Sequence, residues 1–527
     1  MKRRKFLQAA ATLAGMPVLL KGVGVSAWRS SSLMRYINPE SDRVLVIVRL
    51  NGGNDGLNTV LPIDQYDKLA ALRPDLLIPE SAALNLTDEL ALHPALSGLK
   101  GLYDDARLTL IQNVGYPNQN RSHFRSTDIW TSASPADEQW LSGWLGRYLD
   151  LEHSSYPTGY PNADYPHPFA ITMGSVISQT CQGSLANYSL ALDGPLSVNL
   201  LPEGSQGDLP MDQPYGYEVA FLRGAIAQTN AYSEVLVQVG KMGVNAVEYP
   251  DTNLGEQLRK VAMLVSGGSK TKIYVVSEGG FDTHANQVVE GEPTEGNHAT
   301  RIQRVSDAIA AFQLDLKAQG LEERVLGITF SEFGRQIAQN GSRGTDHGTA
   351  APLFMFGACL NPGIVGDNAQ IPSPDEIEPQ AGVPMQYDFR NIYGSILMDW
   401  FELEEEVVQQ LIFEDFQYLP LIAPCAMVGQ RDEDNRPDAL SAKADLQINP
   451  NPFASSVQIR FSLEQRQHVH LSVFDLLGHE RQVLLSRDLP SGKHELTYAS
   501  DQLPAGTYAL RLQWGNGQAL TRLITKL

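Results

Sequence analysis

Short apolar runs alternate along residues 42–425 with longer stretches of helical periodicity. The apolar runs predict strands that are buried on both faces of a sheet, and they cover Arg43–Leu50, Leu108–Val114, Thr271–Val276, Val325–Phe330 and Leu353–Phe356. Apolar positions at helical spacing predict helices over Tyr217–Met242, Leu254–Val265 and Thr300–Gln319. This alternation predicts an α/β domain in which a mostly parallel sheet is sandwiched by helices.

The hydrophobic period changes near the C-terminus. Residues 426–444 are charged and contain proline, which is typical of a linker. Within residues 445–527, apolar residues such as Val457, Ile459 and Phe461 alternate with polar ones, and turn sequences interrupt the alternation. A period of two predicts a small antiparallel β-sandwich as a separate domain.

The N-terminal segment has the order of an export signal. Arg3 and Arg4 lie in a basic stretch, the apolar run Ala9–Leu20 follows, and small residues come next. The apolar run is too short to span a bilayer, so residues 1–27 are predicted to be a signal peptide of the twin-arginine type. Because other segments of the chain fall short of a membrane span, we expect an exported protein without a stable transmembrane segment.

The overall charge limits the class of partner. The chain has 40 Lys and Arg residues against 60 Asp and Glu residues, a formal net charge of −20. Such an acidic surface repels phosphate backbones, which argues against a nucleic-acid partner. The three cysteines, Cys181, Cys359 and Cys425, lack the spacing of a metal finger and are interpreted as small buried apolar residues.

Polar residues follow the predicted strands, at the sheet edge where α/β proteins bind ligands. These loops supply carboxylates at Asp55, Glu278, Asp282, Glu332 and Asp346, histidines at His123, His284 and His347, and arginines at Arg121 and Arg335. Carboxylate and imidazole ligands without a thiolate suit Zn²⁺, Mn²⁺ or a related divalent ion. The loops therefore predict a divalent metal site.

Each of these residues also has an ordinary structural interpretation. Asp55 and Asp282 lie in glycine-rich turns, which Asp often stabilises through its own side chain. Glu332 could be an ion-pair partner of Arg335, and Ser122 could cap the helix that begins beside it. A serine nucleophile would gain from the same position, since free N–H groups at a helix N-terminus favour a phosphate or sulfate group.

Four segments follow the predicted strands in order along the chain. They are RLNGGNDGLNTVLP at 49–62, GYPNQNRSHFRSTDIW at 115–130, SEGGFDTHANQ at 277–287 and TFSEFGRQIAQNGSRGTDHGTAAPLFMFG at 329–357. These segments resemble the bacterial family catalogued as domain of unknown function 1501, which is placed near the alkaline phosphatase and sulfatase superfamily. The resemblance spans roughly residues 42–425 and implies an alkaline phosphatase-like fold. It also implies hydrolysis of phosphate or sulfate esters, with Ser122 as the nucleophile and Arg121 or Arg335 holding the substrate oxygens.

The same resemblance implies a set of metal ligands. One ion would be held by Asp282, His284 and His347, and a second by Asp55 (or Asn51) and Glu332. The sequence departs from the superfamily pattern in three places. The predicted first strand leads into Asn51, and Asp55 comes four residues later. One residue rather than three separates Asp282 from His284, and Phe333 stands where a further ligand is usual.

The C-terminal segment resembles the sorting domain of the bacterial type IX secretion system. The similarity rests on INPNPF at 448–453, VFDLLG at 473–478 and LPAGTY at 503–508. It implies the export and type IX secretion machinery as partners, and a location at the cell surface or outside the cell. The residues alone are equally compatible with a carbohydrate-binding module.

Two functions follow from these features. The first is an exported metal-dependent hydrolase of phosphate or sulfate esters, acting on a small-molecule or glycan ester. The alternative is a non-catalytic cell-surface binding protein that keeps the fold and binds an anionic glycan or a protein partner.

Overall fold

The computed structural model describes residues 42–194 and 214–424, most of residues 447–526, and two dipeptides near the N-terminus. The dipeptides Leu19–Leu20 and Val23–Gly24 pair as antiparallel strands, and the rest of the predicted signal peptide lies outside the described residues. The predicted linker 426–444 also lies outside them. The chain divides into two compact units, Met1–Val428 and Gly429–Leu527, which are described separately below.

A nine-stranded sheet forms the centre of the first unit. Its strands are β1 (Val44–Asn51), β2 (Leu108–Gly115), β3 (Ala170–Met173), β4 (Ser189–Leu192), β5 (Ile273–Gly279), β6 (Val325–Ser331), β7 (Ala351–Phe356), β8 (Gly363–Val365) and β9 (Tyr387–Asp388). The order is β8-β2-β7-β6-β1-β5-β3-β4, and β9 also pairs with β2. Strand β7 runs antiparallel to β6 and β2, and the other pairings are parallel.

Helices cover both faces of this sheet. They are α1 (Gly56–Thr59), α2 (Tyr66–Leu72), α3 (Ser97–Asp104), α4 (His123–Ser132), α5 (Trp144–Glu152), α6 (Pro214–Met242), α7 (Asn253–Ser266), α8 (Asn297–Ala318), α9 (Phe389–Asp399) and α10 (Glu405–Leu411). Successive residues of β1 alternate between two cores: Leu45 and Ile47 pack with α4, α5, α9 and α10, whereas Val46 and Val48 pack with α3, α7 and α8. The predicted mostly parallel sheet between helices is confirmed.

Smaller elements complete the first unit. A three-stranded antiparallel sheet is formed by Val60–Pro62, Leu84–Asn85 and Leu90–Leu92. Short 3₁₀ turns lie at Ile63–Gln65, Pro94–Leu96, Gln179–Cys181 and Glu322–Arg324. None of the helices in the described ranges combines the length and apolar composition that a membrane span requires.

The second unit contains two antiparallel sheets. Their strands are β10 (Gln447–Asn449), β11 (Ser456–Leu463), β12 (Gln467–Phe474), β13 (Glu480–Leu489), β14 (Gly492–Ala499), β15 (Gly506–Trp514) and β16 (Gln518–Lys526). One sheet has the order β10-β11-β14 and the other β13-β12-β15-β16. The alternating apolar residues of both sheets, including Ile459, Leu471 and Leu510, share one core. The predicted small antiparallel β-sandwich is confirmed.

The cysteines differ from one another. Cys181 is buried with a free thiol, and burial raises its pKa to about 12. Cys359 is disulfide-bonded, so its interpretation as a simple buried apolar residue is wrong. Of the other two cysteines, Cys181 is free and Cys425 lies outside the described residues.

A disulfide of this kind predicts a specific peptide map. Digestion of the secreted protein without reductant should yield one peptide pair joined through Cys359 and Cys425, because disulfides persist in oxidising compartments. Cys425→Ser should abolish the pair, whereas Cys181→Ser should leave it unchanged. Recovery of alkylated Cys359 from unreduced wild-type protein would contradict the assignment.

Candidate metal centre

The topology of the sheet brings the predicted loops together. Strands β6, β1 and β5 are adjacent and parallel, so the loops that follow Ser331, Asn51 and Gly279 leave the same edge. The close approach of two of these loops requires glycine at position 52. Its φ is +126°, and a Cβ atom there would lie 2.4 Å from the backbone nitrogen of Asp282.

Three histidines converge on one carboxylate at this edge. His284 Nε2 lies 3.1 Å from Asp282 Oδ1, and His347 Nε2 lies 3.3 Å from the same oxygen. His123 Nε2 lies 3.5 Å from Asp282 Oδ2, and the Nε2 atoms of His284 and His347 are 2.9 Å apart. One ligand atom from each of His123, Asp282 and His347 lies within 4.8 Å of the others, as a shared metal ion requires. We call His123, Asp282, His284 and His347 the His₃Asp cluster.

Each imidazole of the cluster is held through its other nitrogen. His123 Nδ1 lies 2.8 Å from Glu332 Oε1, and His284 Nδ1 lies 2.9 Å from Asp346 Oδ1. His347 Nδ1 lies 2.8 Å from the backbone carbonyl of Arg121. A carbonyl only accepts hydrogen bonds, so His347 Nδ1 donates and its Nε2 carries a lone pair when the ring is neutral.

This arrangement turns acceptor atoms toward one another. If His123 and His284 also donate from Nδ1 to their carboxylates, three nitrogen lone pairs and the Asp282 carboxylate face a common point. Anchoring of Nδ1 by a carboxylate or carbonyl is the usual support of a metal-binding histidine. The cluster therefore has the donor set and the outer contacts that a divalent cation needs.

The pKa values of three groups at the site, His347, Asp282 and Asp346, are shifted in directions that suit a metal ion. Partial burial lowers the pKa of His347, and the charge of Arg335 lowers it further. Partial burial acts to raise the pKa of Asp282, but the hydrogen bond and charge of Arg335 outweigh it and hold that pKa below the ordinary value. The hydrogen bond from His284 lowers the pKa of Asp346. Near neutral pH, a neutral imidazole and ionised carboxylates are favoured.

Arg335 supports the cluster from inside the protein. Only 1% of the residue is exposed, and its guanidinium donates to the carbonyl groups of Gly52, Gly53 and Thr345. It also donates to Asp282 Oδ1 over 2.8 Å. The predicted role of Arg335 in holding substrate oxygens is not compatible with this burial, because its donors are already engaged by the loops.

Asp55 lies in a different set of contacts. Its side chain is fully buried, and Arg73 Nη1 donates to both carboxylate oxygens at 3.0 and 2.8 Å. Gln287 also donates to Oδ2 over 2.6 Å. The structure does not bring Asp55 to the His₃Asp cluster, so its predicted role as a metal ligand is replaced by a structural ion pair. The sequence did not indicate Arg73 as the partner, because Arg73 lies 18 residues after Asp55 in a segment that also contains charged and polar residues.

Glu332 lies behind the cluster. It is fully buried, and its Oε1 accepts hydrogen bonds from the Gly52 N–H and from His123. Its Oε2 is also buried and has no hydrogen-bond partner among the described residues. A buried carboxylate oxygen without a partner is costly, so an ion or an ordered water beside it would stabilise the site.

Ser122 and Arg121 lie at the rim of the cluster. Ser122 is exposed, precedes α4 as its N-cap residue, and makes no capping hydrogen bond with its side chain. Arg121 Nη1 donates to the backbone carbonyls of His347 and Gln380 at 3.2 and 2.8 Å. Arg121 therefore ties the loop of His347 to that of Ser122.

Sequence reasoning missed the role of His123. It was among the loop histidines, but the superfamily pattern assigns no ligand at that position. One feature of the sequence could have indicated His123: it is the first residue of a helix that follows β2, and the end of β2 lies at the same edge of the sheet. Asp346 was likewise among the loop carboxylates, and its contact with His284 depends on the fold of residues 340–347.

The comparisons with protein families match two parts of the chain. Residues 259–412 match the family described as "Protein of unknown function (DUF1501)", which confirms the predicted resemblance over that segment. Residues 447–526 match the "Secretion system C-terminal sorting domain". A sorting domain of this kind indicates type IX secretion to the cell surface or the extracellular space, as predicted. No curated protein sequence matches the chain.

Several solved structures are similar at low identity. A protein of the alkaline phosphatase superfamily from Vibrio parahaemolyticus has 9% identity and a TM-score of 0.32, covering 89% of this chain and 83% of that one. Ps i-CgsB in complex with k-i-k-neocarrahexaose has 10% identity and a TM-score of 0.32, covering 70% and 74%. The lipoteichoic acid synthase LtaP from Listeria monocytogenes has 10% identity and a TM-score of 0.28, covering 64% and 72%. Scores at this level carry no conclusion about activity.

Proposed function

We propose that this protein is an exported metal-dependent hydrolase of phosphate or sulfate esters. The observation that carries the proposal is the convergence of three imidazoles on Asp282, with each ring anchored through its Nδ1 atom. Ser122, the expected nucleophile, directly precedes His123 of this cluster. A divalent ion held there would supply positive charge to activate the serine hydroxyl and to stabilise the transferred group.

The spacing within the cluster fits a divalent ion. Ligand atoms at about 2.0–2.1 Å from a tetrahedral Zn²⁺ lie about 3.3 Å from each other. Four contacts between the cluster's ligand atoms range from 2.9 to 3.5 Å, and the ligand atoms of His123, Asp282 and His347 all lie within 4.8 Å of one another. Zn²⁺ is the first choice for this donor set, and Mn²⁺ is the second. A single centre is proposed, because Asp55 is committed to Arg73.

Ser122 and Arg121 are the chain's own groups for chemistry at this centre. The exposed Ser122 hydroxyl would lose its proton to water and bond to phosphorus or sulfur as the alcohol oxygen of the ester leaves. Water would then release phosphate or sulfate from the serine. The free N–H groups at the start of α4 favour the developing negative charge. Arg121 has donors beyond Nη1, and they would hold the non-bridging oxygens of the ester. Arg335 acts only through Asp282, whose carboxylate it positions.

One observation favours the alternative function, a non-catalytic surface protein that binds its ligand through the metal. With Arg335 buried, Arg121 is the only one of the two predicted oxygen-binding arginines at the rim. A protein that binds its ligand without hydrolysing it would not need a second arginine at the rim of the cluster. Activity measurements separate the two functions.

The test compares Ser122→Ala with wild-type protein on aryl phosphate and aryl sulfate substrates, in the presence of Zn²⁺ or Mn²⁺. We expect the variant to lose ester hydrolysis while it keeps its metal content and melting temperature, because a nucleophile is removed and no ligand is lost. Ser81→Ala, at another exposed serine, is the matched control. Metal-replete wild-type protein that is inert on every ester would favour the binding function.

The sorting domain leads to a prediction about location. Deletion of residues 445–527 should leave a folded core that binds metal, since the sandwich has its own hydrophobic core. The truncated protein should accumulate in the periplasm instead of reaching the surface. Cell fractionation with an antibody against the core measures this, and surface display of the truncated protein would contradict it.

A further inference from the structure

A cleft of about 500 Å³ lies on the loops that follow His284 and precede Asp346. One wall is formed by Asn286 and Val288–Glu290, and the other by Arg343 together with the start of α8. Neither wall belongs to the cluster, and the proposed chemistry at Ser122 does not use them. The cleft is large enough to hold a sugar unit or a comparable part of a larger substrate.

The loops that carry the cluster continue directly into this cleft. The Asn286 N–H donates to the Ser342 carbonyl over 3.0 Å, and Asn340 Nδ2 donates to the His284 carbonyl over 2.8 Å. Asn286 follows His284 by two residues, so their Cα atoms lie within about 7.6 Å. Arg343 precedes Asp346 by three residues. The cleft and the cluster therefore share the same two loops.

The lining of the cleft is polar and its charges are paired. Arg343 Nη1 donates to Glu290 Oε2 over 2.8 Å, so the two charges offset each other. Arg343 Nε is buried and has no partner among the described residues. The Thr300 hydroxyl donates to the Gly296 carbonyl, so its oxygen adds an acceptor. Asn297 Nδ2 donates to the Asn286 carbonyl, which leaves one N–H and the amide oxygen of Asn297 for a ligand. Val289, with 45% of its surface exposed, adds an apolar patch.

This lining favours a neutral ligand rich in hydroxyl groups. Hydroxyls both donate and accept hydrogen bonds, so they can pair with the side-chain amides and with the accepting oxygen of Thr300. The C–H face of a sugar ring can contact Val289. An anion is disfavoured because Glu290 cancels Arg343. A peptide bound by strand addition needs a free backbone edge. Here the backbone groups of Asn286 and Val289 already bond to Ser342 and Glu295.

We infer that the cleft between residues 286–290 and Arg343 binds a neutral sugar unit of the substrate. The inference rests on the proposed function in one respect, since it places the ester group of the same glycan at the His₃Asp cluster. The substrate class is then a glycan ester in which the cleft recognises the unesterified sugar.

The experiment measures the migration of full-length protein in native gels that contain neutral polysaccharides of different backbones, such as dextran, pullulan and galactan. The key variant is Arg343→Gly. Residue 343 has φ = +52°, which glycine adopts without strain, so the change removes the guanidinium and spares the backbone. Glu402→Gly is the matched control: Glu402 has φ = +60° and is also ion-paired, with Arg43 before β1 at the opposite end of the sheet.

We expect at least one neutral polysaccharide to retard the wild-type protein and Glu402→Gly equally, with affinity about tenfold weaker for Arg343→Gly. A second variant, Val289→Ser, keeps every backbone hydrogen bond and should also weaken binding. Metal content is measured on each sample. A cleft variant that keeps its metal but is no longer retarded by the polysaccharide supports the inference. Wild-type protein that is retarded but contains no metal would count against the proposed function and not against the inference.

Three outcomes would overturn the inference. One is that no neutral polysaccharide retards the wild-type protein. Another is that Arg343→Gly and Val289→Ser bind as the wild-type protein does. The last is that retardation occurs with dextran sulfate but not with dextran, or with a peptide library instead, because the ligand would then be an anion or a peptide.

Discussion

Replacing His347 by alanine is expected to remove about nine-tenths or more of the bound divalent ion. In the proposed centre His347 would supply a nitrogen ligand, and its loss would leave an incomplete donor set around Asp282. The melting temperature should fall as well, because an ion that binds only the native state stabilises it by mass action. At an ion concentration of 100 times the Kd, this stabilisation is about 2.7 kcal/mol. Elemental analysis and thermal melting with and without added Zn²⁺ measure the two effects.

The matched control is His167→Ala. His167 is half-buried in the same unit and accepts a hydrogen bond from the Lys270 N–H, but it lies outside the cluster. We expect this variant to keep its metal and to retain the shift in melting temperature that Zn²⁺ produces. Full metal content in His347→Ala would contradict the site.

Replacing Asp55 by alanine is expected to lower the free energy of unfolding by about 3–5 kcal/mol without removing the metal. The substitution leaves the Arg73 guanidinium buried without its carboxylate, which is the most costly way to break a buried ion pair. Denaturant unfolding measures the loss, and elemental analysis measures the metal. Asp104→Ala, which breaks the exposed pair with Lys100, should change stability by less than about 1 kcal/mol.

The same pair predicts a pH dependence. Burial acts to raise the pKa of Asp55, but the charge and hydrogen bonds of Arg73 outweigh it and hold that pKa below the ordinary value. The unfolded chain therefore takes up the proton first, and the stability from Asp55 is present above its unfolded pKa and lost as pH falls through the folded one. Asp55→Asn should flatten the acid limb of the stability curve. Metal loss in Asp55→Ala at full stability would contradict the structural role.

The sequence predicted the sheet and its edge well because burial on both faces leaves a strong local pattern. Strand β1, predicted as Arg43–Leu50, runs from Val44 to Asn51. Short strands such as β3 and β9 were not predicted, since four or two residues carry too little periodicity. The antiparallel direction of β7 depends on its neighbours in the sheet, which the local pattern does not encode.

The candidate site could be predicted only in part. The structure brings the predicted loops together because the carboxyl ends of parallel strands share one edge. The partners of individual charges depend on tertiary contacts: Arg335 turns inward to Gly52 and Gly53, and Asp55 meets Arg73. His123 became a candidate ligand only when Glu332 was seen to hold its ring. The residue types indicated metal-binding chemistry, whereas the tertiary fold determines which of these side chains are in contact.

An anomalous-scattering crystal structure of zinc-loaded protein tests the central claim most directly. The account predicts one strong peak at the zinc edge, about 2.0–2.2 Å from the Asp282 carboxylate and from the Nε2 atoms of at least two of His123, His284 and His347. Glu332 and Asp346 would contact the imidazole rings of His123 and His284 and would not bind the ion themselves. Zinc bound at Asp55, or zinc-soaked crystals with no peak beside Asp282, would contradict it.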